Sequence, residues 1–73
     1  MDREQLLQEA SRLSRIVADD AMRIIRQRGL IEHLKSIAKM TELEQAEGLL
    51  STMLEEQTRH EQQLVRVQAK LIF

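Results

Sequence analysis

The run "EEQTRHEQQ", Glu55–Gln63, decides the fold of this chain. Read as a loop, it cuts the second half into two short segments; read as helix, it joins them into one long element. It also holds a His-Glu pair, His60-Glu61, that opens like the zinc-protease signature H-E-x-x-H, but Leu64 stands where the second histidine belongs. The spacing around the run resolves its structure. Leu43, Ala46, Leu50, Met53, Gln57, His60, Leu64, Val67 and Leu71 follow one another at alternating steps of three and four, the spacing of a heptad seam. The seam crosses the polar run without a change of phase, so Glu55–Gln63 reads as helix.

The first half carries a second seam: Leu6, Ala10, Leu13, Val17, Asp20, Ile24, Gln27, Ile31, Leu34 and Ala38. Two starts have capping-box spacing, Asp2 with Gln5 and Thr41 with Glu44. Lys35 and Lys39 fall in the last turns of the first helix, where the negative dipole end favours cations. "KMT", Lys39–Thr41, is therefore the expected turn. Gly29 after "RQR" can be read as a helix end, giving a kinked three-helix arrangement. The heptad phase is unchanged across it, which favours one helix over about residues 3–39 and a second over about 42–72.

Folding the seams about this turn sets Ala38 opposite Leu43, Leu34 opposite Ala46, Ile31 opposite Leu50, Gln27 opposite Met53 and Ile24 opposite Gln57. Asp20 then faces His60, Val17 faces Leu64, Leu13 faces Val67 and Ala10 faces Leu71. The polar members of both seams meet in the middle: Asp20, Gln27, Gln57 and His60 form a polar layer that can set the register. The expected fold is all-α, a single hairpin of two long antiparallel helices spanning 1–73.

Composition agrees. The chain has no proline, no cysteine and one aromatic residue among Phe, Trp and Tyr, Phe73, so its core must be aliphatic and without disulfides. At 73 residues, such a core falls in the size range where about 3–5 kcal/mol is all a lone core supplies and partners are commonly needed. Residues 1–40 carry eight Arg/Lys against six Asp/Glu, and residues 41–73 three against six, which suits two helices lying side by side. The charged start "MDREQLLQEASR" does not read as a secretory leader, and no apolar run is long enough to span a membrane; a cytoplasmic location is expected.

Chemistry is sparse. Glu56 and His60 are neighbours one helical turn apart, but His33, the other histidine, lies far away in the hairpin register, so no metal site is expected. There is no Gly-rich phosphate loop, and Ser11, Ser14, Ser36 and Ser51 stand in no nucleophile motif, so neither a cofactor nor enzymatic activity is expected. Arg12, Arg15 and Arg26 give the first helix a basic outer face, in the format of small RNA-binding hairpins that dimerise into four-helix bundles. Asp19 interrupts that face and no aromatic side chain is available there to stack on bases, so nucleic acid is the second reading.

Apolar residues beyond the seam carry the first reading. Ile16, Leu30 and Ile37 flank one side of the first seam, Leu7 and Ala21 the other, with Ala18, Met22 and Ile25 further round. The second helix adds Leu49, Leu54, Val65 and Ile72. A two-helix chain has one seam, so these residues call for a protein partner or a second copy. The expected contacts are Ile16, Ile25, Leu30, Ile37, Leu49, Leu54 and the tail Leu71, Ile72 and Phe73.

In layout the chain resembles the small co-chaperones of type III secretion needle subunits, with "LLQEASRLSRIVADDAMRIIRQRGLIEHLK" as first helix and "TELEQAEGLLSTMLEEQTRHEQQL" as second. The resemblance implies a cytoplasmic, non-enzymatic hairpin. It would support a larger helical-repeat chaperone, and the pair would shield the needle subunit from early polymerisation.

Overall fold

The computed structural model describes residues 2–72. Helix α1 spans Arg3–Ser36 and helix α2 Met40–Ile72, packed against each other along their length as an antiparallel hairpin. The molecule measures 53 × 14 × 13 Å. A 34-residue helix is about 51 Å long at 1.5 Å per residue, so each helix runs the full length of the molecule. Its radius of gyration, 16.5 Å, exceeds the ~11 Å of a compact chain of this size.

The start of α1 is closed as the sequence predicts. Asp2 Oδ1 accepts from the Gln5 backbone N–H at 2.8 Å, and Gln5 Oε1 accepts from the Asp2 N–H at 3.3 Å. These two bonds satisfy donors that a bare helix end leaves to water. The helix then passes through Gly29 without interruption, and Glu55–Gln63 is continuous α-helix.

The turn differs from expectation. It lies at Ile37–Lys39 rather than Lys39–Thr41, so α1 ends at Ser36 and not near residue 39. Its closure is local. The Lys39 N–H donates to the Leu34 carbonyl and the Ala38 N–H to the Lys35 carbonyl, both at 3.2 Å. This pair of bonds requires a left-handed residue between them, and Ala38 supplies it with φ 56°. Ala38 is consequently exposed and leaves the seam, correcting its expected pairing with Leu43. Thr41 does not cap α2: the helix begins at Met40, and the Lys39 carbonyl already accepts from the Leu43 N–H at 2.9 Å.

Every other expected seam residue is buried or half-buried. The tightest packing lies next to the turn, where Ile31, Leu34, Leu43 and Ala46 form a core with Leu50 against it. Leu13, 1% exposed, is the most completely buried side chain. Beyond Ala46, α2 has half-buried seam residues but none fully buried, because one neighbouring helix covers only part of its circumference.

Candidate polar layer and partner-binding faces

Asp20 and His60 meet across the seam. The Nδ1 of His60 lies 2.7 Å from Oδ2 of Asp20. Asp20 is a buried carboxylate, whereas the His60 side chain keeps 28% of its exposure. An ionised carboxylate can only accept, which puts the shared proton on Nδ1. The pair places the charge beneath the seam and lets the ring reach its edge.

The rest of the expected polar layer is arranged differently. Gln27 is buried, but its Nε2 donates to the Ala46 backbone carbonyl at 2.8 Å, toward the turn and away from Gln57. Gln57 is half-buried. Thus one predicted pair forms side chain to side chain, and Gln27 is instead satisfied by backbone. Heptad spacing locates a long side chain's Cα but leaves open which way its amide reaches.

Two neighbours escaped the seam pattern. Glu56 is half-buried and, with Asp20, Arg23, Leu49, Thr52 and Met53, lines a cavity of about 120 Å³. Small-molecule sites are typically about 300–1,000 Å³, so this one has room for water rather than for a substrate. Arg3 reaches across the open end, its Nη1 donating to the Leu71 carbonyl at 3.1 Å. No periodic signal marks such a contact, since a long arginine can stand well off the seam and still bridge it.

Among the described residues, no three His, Asp or Glu side chains converge on a point where a metal ion can sit. On the basic face, Arg12 is bound to Glu9 one turn away through Nε to Oε2 at 3.0 Å and a second, charge-paired contact. That hydrogen bond and its charge hold the Glu9 carboxyl below its ordinary pKa and push Arg12 up. Arg15 and Arg26 are exposed.

The apolar residues outside the seam divide by face. Leu30 and Leu49 line one open groove with Gln27, Leu34, Glu42 and Ala46, and are 45% and 49% exposed. The opposite groove is lined by Arg28, Ile31, Glu32, Lys35, Glu47 and Leu50. Ile25, one turn before Arg28 and two before Glu32, belongs to that second side and is 61% exposed. Ile37, Val65 and Ile72 are also exposed. Ile16, Leu54 and Leu71 are half-buried by the hairpin itself. Phe73 lies outside the described residues. No helix among the described residues is long and apolar enough to cross a membrane.

Comparison of the chain with protein-family models, with curated proteins and with solved structures found no match.

Proposed function

We propose that the hairpin is a non-enzymatic protein–protein interaction module, a small cytoplasmic co-chaperone or adaptor that keeps a partner soluble and unassembled. One observation carries this reading: large apolar side chains, among them Ile25, Leu30, Ile37, Leu49, Val65 and Ile72, stand 45–76% exposed along both sides of the rod. Extended apolar surface of this kind gains about 25 cal/mol per Å² when covered. The layout resemblance to type III secretion needle co-chaperones supports a helical chaperone or a secretion subunit as the partner. The RNA-binding reading has less support, because Arg12 is engaged by Glu9 within its own helix.

The test is co-purification from the source cells with a tagged chain, followed by mass spectrometry of what is retained. A helical protein partner should be recovered with the wild-type chain. It should be lost with I25E and I72E while helicity by circular dichroism is unchanged. The purified partner should also raise the melting temperature of the hairpin. Recovery of RNA alone, bound with steep salt dependence, or of nothing, would sink the adaptor reading.

A further inference from the structure

The geometry points to a second copy of this chain as the occupant of the Leu30–Leu49 side, with the two-fold axis parallel to the helices and both turns at the same end. The adaptor reading leaves open what covers each side; this inference assigns one side to self-association and leaves the Ile25 side to another protein.

Along the Leu30–Leu49 side, α1 presents Arg23, Leu30 and Ile37 at heptad steps, and α2 presents Glu42, Leu49 and Glu56. The antiparallel register puts Leu30 level with Leu49, which share one groove, and Arg23 level with Glu56, which share the next. A two-fold axis along the rod lays α1 of each copy over α2 of the other, level upon level. Leu30 and Leu49 then become a four-leucine layer. Arg23 and Glu56 become a ring of alternating charge, each arginine beside one glutamate of its own chain and one of the other. Neighbouring helices all run antiparallel, which also suits their dipoles.

The alternatives match poorly. An axis perpendicular to the rod through the leucine layer sets the charged Arg23 level on the Ile37 level. On the opposite side of the hairpin, the same register puts Arg28 level with Leu54 and Ala21 level with Glu61. That side has a complementary level, Lys35 with Glu47, but none that is apolar on both helices; the Leu30–Leu49 side carries one mismatched level, Ile37 with Glu42, beside its four-leucine layer and its Arg23–Glu56 level.

The exposed area agrees with a missing layer. The chain exposes 5533 Å², whereas a compact monomer of 8.5 kDa exposes about 4,650 Å². The surplus of about 900 Å² is close to the ~800 Å² that each partner contributes to a stable interface.

The experiment uses the purified full chain. Sedimentation equilibrium should give twice 8.5 kDa at micromolar concentration. L49E, at an exposed position, should give a helical monomer. R23E should weaken the dimer by about tenfold or more, and the charge swap R23E/E56R should restore it to within about threefold of wild type. A spin label on S36C, at the turn, should report a separation of about 20 Å between copies, on the order of two helix spacings. A separation near the 53 Å rod length overturns the arrangement. A wild-type monomer, or a dimer indifferent to L49E and to R23E, or one that R23E weakens and R23E/E56R does not restore, overturns the interface, whether or not another protein is still captured.

Discussion

The Nδ1 of His60 stands 2.7 Å from Oδ2 of Asp20, a residue forty positions earlier in the chain and on the other helix. Among the described residues it is the one hydrogen bond from side chain to side chain between the two helices, Gln27 and Arg3 reaching backbone carbonyls instead, and it sits within an otherwise largely aliphatic seam. Removing the histidine leaves a buried carboxylate without its donor. H60L should therefore cost about 2–3 kcal/mol, somewhat below the range for a fully buried pair because His60 is partly exposed. D20L/H60L should regain most of that loss. Urea denaturation of both singles and the double variant gives the coupling energy; a value near zero would show that the pair contributes nothing specific.

Gln27 offers the contrast. Its amide donates to a helix carbonyl, that of Ala46, and taking the amide away strands no buried charge. Q27L should leave stability within about 1 kcal/mol of wild type, or raise it. A loss comparable with that of H60L, read by the same denaturation, would mean that Gln27 holds more of the seam than this one bond.

Leu13 tests how thin the core is. At 1% exposure, L13A should cost about 2–5 kcal/mol, which is comparable with everything a core of this size supplies. Its cooperative thermal transition should be largely abolished. M22A, at a side chain 51% exposed, should change stability by less than about 0.5 kcal/mol.

The turn carries a removable strain. Ala38 holds φ 56°, where an alanine Cβ crowds the backbone and a glycine does not. A38G should stabilise by about 0.5–1 kcal/mol, after allowing for the greater freedom of glycine in the unfolded chain. The melting temperature should rise by about 4 °C or more. A fall would mean that the left-handed turn is held by something other than its hydrogen bonds.

Gly29 and Gly48 are the opposite case. Both sit within helix, and a Cβ added at either meets nothing within 4 Å. G29A and G48A should each add about 0.5–1 kcal/mol, and the two should be additive because the sites share no contact. Loss of partner capture by either variant, with melting temperature raised, would identify the bare backbone there as a contact surface.

The sequence by itself determined the two-helix fold, because a three-four apolar spacing sustained through Glu55–Gln63 can be buried only as helix. It also determined the seam and the Asp20–His60 pairing, since matching two antiparallel seams leaves few registers that set polar on polar. The tertiary structure decided the turn, where two hydrogen bonds to Leu34 and Lys35 put Ala38 in a left-handed conformation and displaced the capping pattern at Thr41. Propensity rules give that conformation to glycine or asparagine, so an alanine there carries no signal in the sequence. The structure also decided where Gln27 and Arg3 reach, and that Ile16 and Leu54 are half-covered while Leu30 and Leu49 stand open in one groove. Heptad spacing places a Cα on a face; the reach of a long side chain and the extent of its burial depend on what the neighbouring helix puts opposite it.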